Sequence, residues 1–405
     1  MTTGANSVQA ISHSQVVTKP MVSRVVRAYS ALQALPQSYS GLFDQASAKS
    51  FFNGMPWYEN LSRTALGAGE KTVFLGVEPE DNANTPEILL PVRYSSLNNG
   101  PLGIRALSSL TNYYSPVFEP LLDSCAAAPD SLATLAEFLF KHSPRWHTIN
   151  LKPLDRDSAL FQELLRALKK AGFVVQAYFC HGNWYYPLEG RSYSEYLESL
   201  RSSVRNIARS KNKKLQRSGR ARVEIVTGGE HLERGIEAYN KVYAASWKVP
   251  EPFPQFVPGL IRTCAASGSL RLGLAYVDDE PAAAQLWIVH QGVASIYKIA
   301  YDQKFKDLSV GSYLTMHLME HAVDVDKVRE LDYLSGDDRY KSDWMSHRRE
   351  RWGILAMNPH TIGGAMAVVR HVGGRAGKRT LQKMMGRFVR KPGEQGKKAV
   401  PAESR

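Results

Sequence analysis

Cysteine is scarce in this sequence, and long apolar runs are missing from it. The three cysteines, Cys125, Cys180 and Cys264, stand far apart, and none belongs to a C-x-x-C pair. Such scattered thiols exclude a disulfide framework and a cysteine-based zinc site, and they are typical of a reducing cytoplasm. No run of about 18 apolar residues could span a bilayer, and residues 1–19 lack the apolar core of a secretory signal. We therefore expect a cytoplasmic protein without a membrane-spanning helix.

Several signatures of known catalytic sites are missing as well. The segment 67–72 resembles a phosphate loop but lacks its spacing, and neither G-x-S-x-G nor a G-x-G-x-x-G after a strand occurs. His317 and His321 match H-x-x-E-H, a pattern of zinc proteases. However, a third ligand would have to come from elsewhere, no second Glu-rich helical motif follows downstream, and the basic tail would repel a cation. We predict that the protein holds no metal and that both histidines are solvated or bonded to the backbone.

Positive charge is abundant but confined to two segments of a chain whose net charge is +13. Residues 201–222 hold nine lysines and arginines and no acid, and residues 361–405 hold eleven against two acids, so the remainder is mildly acidic. Such segments bind the phosphates of nucleic acids, phosphorylated cofactors or anionic membranes. The tail also contains a predicted amphipathic helix with an apolar face formed by Leu381, Met384, Met385, Phe388 and Val389.

Strand-like and helix-like segments alternate along the chain in two successive series. The first series ends near residues 187–191, and Ser192 and Glu195 then form a capping box that opens the second. A length of 405 residues is typical of two to three domains. We predict a flexible lead-in, an N-terminal domain, a C-terminal domain and a basic amphipathic tail: residues 1–29, 30–187, 188–358 and 359–405.

Four short motifs follow one another over about 75 residues of the second series. They are A-x-Q-x-W (283–287), A-Y-D-x-x-F (300–305), S-x-G-x-x-L (309–314) and G-D-x-x-Y-K-x-x-W (336–344). In this order they resemble the BioF2-like (CelD-like) acetyltransferases, relatives of the Fem peptidyltransferases within the GNAT superfamily. The resemblance covers residues 190–355 and extends to 30–187 by architecture alone. It implies an α/β fold of two tandem GNAT-like domains, the first degenerate, with mixed and largely antiparallel sheets flanked by helices.

The resemblance implies a site for acyl-CoA as co-substrate. The turn Ser309, Val310, Gly311 and Ser312 would bind the pyrophosphate, because Gly311 admits a close backbone approach and free N–H groups of a first helical turn attract anions. The alternative is an ordinary helix cap, in which Ser309 or Ser312 satisfies the free N–H groups of the first turn. Pantetheine would lie along the strand 293–300, with Tyr297 and Tyr301 beside the acyl group, unless these rings only pack across strands.

The motif that ends at Lys341 is the candidate catalytic segment. Lys341 could stabilise the oxyanion of an attacked thioester or hold an acceptor's anionic group, and Asp337 or Asp338 could accept the proton of the amine. The alternative is an aspartate-capped helix with a surface lysine. Arg205 and Arg209 would bind an anionic acceptor or the phosphates of the donor, unless they form a solvated helix face.

We therefore predict an acyltransferase that moves an acyl group from acyl-CoA to an amine of a small molecule, lipid or polysaccharide precursor by direct attack. Families related to it act in exopolysaccharide biosynthesis. One alternative is a Fem-like transferase that uses aminoacyl-tRNA and a cell-wall precursor. Another is a non-catalytic module that binds nucleic acid or a membrane. The tail predicts peripheral contact with the inner face of an anionic membrane, or else a solubilising end.

Overall fold

A computed structural model describes residues 22–82, 84–95, 105–124 and 128–373. The strands are β1 (Arg24–Tyr29), β2 (Glu70–Pro79), β3 (Ile88–Ser95), β4 (Ala106–Ser109), β5 (Leu121–Leu122), β6 (Thr148–Asp155), β7 (Val174–Pro187), β8 (Ala221–Val226), β9 (Leu270–Val277), β10 (Glu280–His290), β11 (Val293–Tyr301), β12 (Glu330–Ser335) and β13 (His347–Met357). The helices are α1 (Ser40–Lys49), α2 (Met55–Thr64), α3 (Ala128–Lys141), α4 (Ala159–Lys170), α5 (Tyr193–Ser199), α6 (Ser202–Arg217), α7 (Leu232–Ala244), α8 (Phe256–Ala266), α9 (Val310–Glu320), α10 (Lys341–Trp344) and α11 (Ile362–Val368).

In the described residues the strands form one sheet, in the order β1-β2-β3-β4-β6-β13-β7-β12-β11-β10-β9-β8, with β5 paired to β3. Two pairings are parallel, β4 with β6 and β11 with β12, and the others are antiparallel. Each half thus repeats one arrangement: four antiparallel strands and a fifth that is parallel to the fourth. The predicted fold class, tandem α/β halves with mixed and largely antiparallel sheets, is confirmed.

The last strand of each half lies beside the fifth strand of the other half. β7 follows β6 in the chain, yet it pairs with β13 along most of its length and with β12 near its end. β13 in turn lies between β6 and β7. Both halves therefore contribute to the centre of a single sheet, and the domain limit at 187/188 stays a prediction.

Aromatic side chains also join the two halves. The aromatic segment 51–61 buries Phe52 and Trp57 in the core, as its composition predicts. The Trp57 ring lies edge-on to Phe256 of α8 with centroids 5.6 Å apart, and Phe52 stacks on Tyr297 of β11 at 5.9 Å. Since these contacts reach from the N-terminal half to β11, both halves fix the position of that strand.

Two predicted segments differ from the structure, and a third lies largely outside the described residues. Residues 1–29, predicted to be a lead-in, include β1, which pairs with β2. Four prolines among residues 249–258 predict a loop, but α8 begins at Phe256 because a proline is tolerated in the first turn of a helix. The predicted tail begins with α11, and its amphipathic segment around Leu381 lies outside the described residues.

Candidate active site

Two parallel strands separate at the centre of the C-terminal half. β11 and β12 pair only over Val293–Ser295 and Glu330–Asp332. Beyond this point β11 carries an extra residue, Tyr297, where its register with β10 shifts between Leu286 and Trp287. Such a bulge leaves one residue unpaired and bends its strand. A cleft therefore opens where β11 and β12 diverge, at the kind of strand end where α/β sheets bind ligands.

The bulge also changes which way the two strand tyrosines face. With a spacing of four residues, Tyr297 and Tyr301 would share one face of a regular strand. Instead, Tyr297 packs into the core shared with the N-terminal half, and its hydroxyl donates to the Tyr114 carbonyl over 2.9 Å. Tyr301 packs on the other side, 4.5 Å from the Trp247 ring. The structure thus places the Tyr301 ring beside the cleft and ties the Tyr297 hydroxyl to the N-terminal half.

One end of the cleft lies against the amino end of α9. A cavity of about 230 Å³ is lined there by Trp247, Tyr301, Gly311, Ser312 and Trp344, among others. Ser309 precedes the helix in left-handed conformation, with φ 54°, and its side chain does not cap the helix. The ordinary-cap alternative therefore does not hold for Ser309. The N–H groups in the first turn of a helix have no acceptor within the helix, so the amino end of α9 is suited to bind an anion.

A buried polar network fixes the first turn of α9. The Gln285 side-chain amide donates to the Gly311 carbonyl over 3.0 Å and to the Thr315 hydroxyl over 2.7 Å. It also accepts a 2.9 Å hydrogen bond from the Trp287 indole, and the Thr315 hydroxyl donates to the Gly311 carbonyl. Two motifs of the sequence, A-x-Q-x-W and S-x-G-x-x-L, therefore meet at one place, where they orient the turn that faces the cleft.

The other end of the cleft faces the N-terminal half. A cavity of about 290 Å³ is lined there by side chains that include Tyr113, Tyr114, Lys248, Lys298, Asp338 and Lys341. The two cavities adjoin, since Ile299, Tyr333 and Tyr340 line both. The turn at Gly311 and the loop that ends at Lys341 thus reach the same cleft from opposite ends.

Lys341 is buried at the centre of this arrangement, with 5 % of its surface exposed. Its Nζ donates to the carbonyls of Tyr333, over 3.2 Å, and of Ser335, and it lies 3.9 Å from Asp338 Oδ2. Leu334, between these carbonyls, has a left-handed φ of 53°, a strained conformation that recurs at functional sites. An ammonium has three N–H donors, so one remains for a ligand. Burial lowers the pKa of Lys341, and the nearby aspartates oppose this effect by raising it.

The sequence of residues 202–342 matches the family model described as an acetyltransferase (GNAT) domain. The match covers about a third of the chain, and we call the matched residues the GNAT domain. The domain contains β11, α9, β12 and Lys341, and it supports an acyltransferase activity. No curated protein matches the chain.

Solved structures share the fold of the whole described chain. The crystal structure of FemX is 12 % identical and covers 82 % of this chain and 98 % of its own, with a TM-score of 0.53. A conserved protein of unknown function from Bacteroides thetaiotaomicron is 9 % identical and covers 82 % of this chain and 100 % of its own, with a TM-score of 0.50. At these identities the likeness concerns the fold alone, and it agrees with the predicted fold class.

The two neighbouring aspartates of the GNAT domain have different surroundings. Asp338 lines the cleft, whereas the Asp337 carboxylate binds Arg348 of β13 through two hydrogen bonds of 2.8 Å. That pairing lowers the pKa of Asp337. A Cβ on Gly182 of β7 would lie 2.1 Å from Asp337 Oδ1, so the carboxylate lies directly over that strand. The structure therefore places Asp337 outside the cleft, where it joins β12 to β13.

The two arginines predicted to bind an acceptor lie on α6. Arg205 donates to the carbonyl and the carboxylate of Glu198, and it does not line the cleft. The side chain of Arg209 lies outside the described part of the chain. α6 packs against α9 and β8. The structure does not bring Arg205 to the residues around Lys341.

The position in the N-terminal half that corresponds to the cleft between β11 and β12 is closed. β4 and β6 are parallel over Ala106–Ser108 and Thr148–Asn150, as β11 and β12 are in the GNAT domain. Just beyond, the hydroxyls of Ser109 and Thr111 both donate to the Lys152 carbonyl, over 2.6 and 2.9 Å. These hydrogen bonds hold the two strands together where β11 and β12 part. That the first half is degenerate stays a prediction.

Sequence reasoning missed the residues of the cleft that come from irregular segments. Tyr113 and Tyr114 lie in the loop after β4, and Lys248 lies in the loop after α7. Glu251 of that second loop pairs with Lys298 over 2.7 Å and accepts from the Tyr114 hydroxyl over 2.7 Å. Neither loop has a periodic pattern, so only the fold brings them to the cleft.

Across the described ranges, no group of three or more His, Cys, Asp or Glu is arranged to hold a metal ion. His317 packs against the Tyr313 ring at 4.6 Å, and burial lowers its pKa. No described helix is long and apolar enough to cross a membrane.

Proposed function

We propose that this protein transfers the acyl group of an acyl-CoA to an amine by direct attack in a ternary complex. The proposal is carried by the two adjoining cavities at the place where β11 and β12 diverge. One cavity has the first turn of α9 at its side, and the other contains Lys341. A thioester with a phosphate-bearing carrier and an amine could therefore meet between them.

In this proposal the donor occupies the cavity beside α9. The N–H groups of Val310, Gly311 and Ser312, with the turn at Ser309, hold the pyrophosphate. Pantetheine lies along β11, whose backbone has no partner on β12 beyond Ser295. The Tyr301 ring forms a wall of this cavity. Coenzyme A supplies the thioester, and the protein supplies its position.

The acceptor amine attacks the thioester carbonyl from the cavity that contains Lys341. A bond forms between nitrogen and the carbonyl carbon, the carbon–sulfur bond breaks, and the thiolate of coenzyme A leaves and takes up a proton. The amine loses one proton, which passes to Asp338 directly or through water. Lys341 donates to the oxygen that becomes negative, and such a donor in a desolvated site stabilises the transition state.

The test is thiol release from a panel of acyl-CoA donors in the presence of a panel of amines, followed with DTNB. We expect release that depends on both substrates, together with an acylated amine detected by mass spectrometry. Release that is independent of the amine, or no release with any pair together with no binding of coenzyme A, would contradict the proposal.

A second donor, aminoacyl-tRNA, follows from the Fem relation and the basic helix α6. This alternative predicts salt-sensitive binding of charged tRNA and transfer of its aminoacyl group to a cell-wall precursor. A non-catalytic module would instead bind nucleic acid or membrane without transfer to any amine. The panel above, extended with aminoacyl-tRNA, separates the three alternatives.

An exposed apolar stripe on the last described helix supports peripheral membrane contact. Ile362 and Met366 of α11 and Val369 directly after it share one face and are 83 %, 59 % and 72 % exposed. The chain that follows is strongly basic. We propose that this segment rests on an anionic membrane surface, where apolar contact and charge attraction act together. Co-sedimentation with phosphatidylglycerol vesicles should fall on truncation after Asn358 and on replacement of the stripe by serine; unchanged binding would end the idea.

A further inference from the structure

Three lysine side chains line the acceptor cavity. Lys248, Lys298 and Lys341 come from the loop after α7, from β11 and from α10, and they surround a space of about 290 Å³. Ammonium groups this close repel one another unless carboxylates or a ligand compensate them. How each lysine is compensated therefore indicates what the cavity accepts.

Two of the three lysines have partners in the protein. Lys298 forms a buried ion pair with Glu251, in which both side chains are 9 % exposed. Its Nζ also lies 5.0 Å from the ring centroids of Tyr113 and Tyr114. Lys341 donates to two carbonyls and has Asp338 at 3.9 Å. Both ammonium groups are thus held in place.

Lys248 lacks such a partner. Among the described residues, no carboxylate forms an ion pair with its Nζ within 4.0 Å, and this atom lies 5.7 Å from the centroid of the Trp247 ring. Burial is the main cause that lowers the pKa of Lys248 to about 8. The charges of Lys298 and Lys341 lower it further, whereas those of Glu251 and Asp338 raise it. An anion placed beside Nζ would restore the charged form.

The other ionisable groups around the cavity do not supply this anion. Asp338 is largely exposed and lies nearer to Lys341, and Glu251 is already shared by Lys298 and Tyr114. Burial raises the pKa values of the surrounding tyrosines, which keeps them neutral: Tyr113, Tyr114, Tyr297, Tyr333 and Tyr340. Three ammonium groups and two carboxylates surround the cavity. One positive charge therefore has no carboxylate to compensate it.

We propose that this cavity binds the anionic group of the acceptor, a carboxylate or a phosphate, against Lys248 and between Lys298 and Lys341. The acceptors of the enzyme are then amines that carry a negative charge near the reacting nitrogen. This inference rests on the proposed function, because it takes this cavity to be the acceptor side. The anion would anchor the acceptor, and its amine would point toward the donor cavity at Tyr333 and Tyr340.

The first test measures the anion site without any acyl transfer. The full chain is reductively methylated with ¹³C, and the signal of Lys248 is assigned with the variant Lys248→Arg. Titration should show a pKa near the ordinary value of a lysine in saturating inorganic phosphate or acetate, and a lower one in sodium chloride of equal ionic strength. A response to phosphate alone indicates a phosphorylated acceptor, and a response to acetate alone indicates a carboxylate. Equal pKa values in all three salts would overturn the proposal.

The second test uses matched amines in the thiol-release assay: O-phosphoethanolamine against ethanolamine, and β-alanine against propylamine. A charge-assisted contact of about 1.5–3 kcal/mol predicts roughly 10- to 150-fold higher kcat/KM for the anionic member. Lys248→Met should remove this preference, whereas Lys241→Met, on the exposed side of α7, should keep it. A preference for the neutral amine would overturn the proposal.

The two proposals fail in distinguishable ways. If the protein does not bind coenzyme A but Lys248 still responds to anions, the proposed function is contradicted and the proposed anion site is not. Coenzyme A binding with no response of Lys248 would contradict the anion site alone. If Lys248→Met unfolds, Lys248→Gln and the titration of the unaltered lysine still decide the matter.

Discussion

Replacement of Lys341 by methionine should remove most of the transfer rate while leaving donor binding intact. Methionine keeps much of the buried side-chain volume but removes the N–H donor that we assign to the oxyanion. Loss of one such donor costs about 10²- to 10³-fold in kcat, or roughly 3–4 kcal/mol. The donor cavity beside Gly311 does not include Lys341 in its lining, so the dissociation constant of coenzyme A should stay the same.

The same change should lower stability only moderately. It leaves the buried carbonyl of Tyr333 and the partly buried carbonyl of Ser335 without this donor, and an unsatisfied buried group costs about 1–3 kcal/mol. Burial lowers the pKa of Lys341, which means that the site stabilises the ammonium less well than water does. Removing the charge therefore offsets part of the loss. Chemical denaturation of the variant gives this difference directly.

The assay compares kcat of Lys341→Met with that of Lys304→Met under saturating acyl-CoA and amine. Lys304 pairs with Glu280 on the exposed surface, with 60 % and 54 % of the two side chains accessible, so its loss should not affect catalysis. A Lys341→Met variant that is folded, binds coenzyme A and retains kcat within about threefold of the unaltered protein, which is under ~0.7 kcal/mol, would refute the assigned role.

Three further changes test other parts of the account. Gln285→Leu removes the amide that bonds the Gly311 carbonyl, so we expect a loss of about 1–3 kcal/mol in unfolding free energy and weaker binding of coenzyme A in calorimetry; an unchanged affinity would contradict this. Asp337→Asn should leave kcat unchanged and lower stability by at most about 1 kcal/mol, because the lost ion pair is partly exposed; a large fall in kcat would instead favour a catalytic carboxylate. Residues 22–187 and 188–373 expressed apart should aggregate, since each lacks a central strand, and should form a soluble complex when co-expressed; two monomeric, cooperatively unfolding halves would refute this.

Local patterns predicted the elements of this fold because their causes are local. The capping box of Ser192 and Glu195 is present as predicted, with both hydrogen bonds formed. The hairpin of β10 and β11 follows from two apolar runs around a glycine turn. The crossing of β7 and β13 has no such signal. It depends on pairing between residues about 170 positions apart, which no periodicity within either strand encodes.

The candidate site was predictable where a motif marks a turn and unpredictable where it depends on side-chain direction. Gly311 and Lys341 stand in recognisable motifs at the ends of strands. Asp337 and Asp338 are adjacent in sequence, but the turn at Gly336, with φ 111°, places one against Arg348 and the other in the cleft. Sequence alone treats the two carboxylates as equivalent, because it does not show that turn.

The loop residues around Lys248 show a second reason for incomplete prediction. Four prolines indicate only that residues 249–258 are irregular. Glu251 is nevertheless buried against Lys298 and Tyr114, which come from different halves of the chain. A site assembled by the contact of two halves leaves no spacing rule in either one.

Calorimetric titration of the full chain with coenzyme A tests the central claim most directly. We predict saturable binding of one molecule per chain, which Gly311→Val abolishes, since even a Cβ at this position would lie 3.3 Å from the Tyr301 ring and a valine would fill the donor cavity. The matched control is Gly41→Ala in α1, where a Cβ meets nothing within 4 Å, and it should bind as the unaltered chain does. No binding by the unaltered chain, or equal binding by Gly311→Val, would contradict the claim that the cleft between β11 and β12 holds the donor.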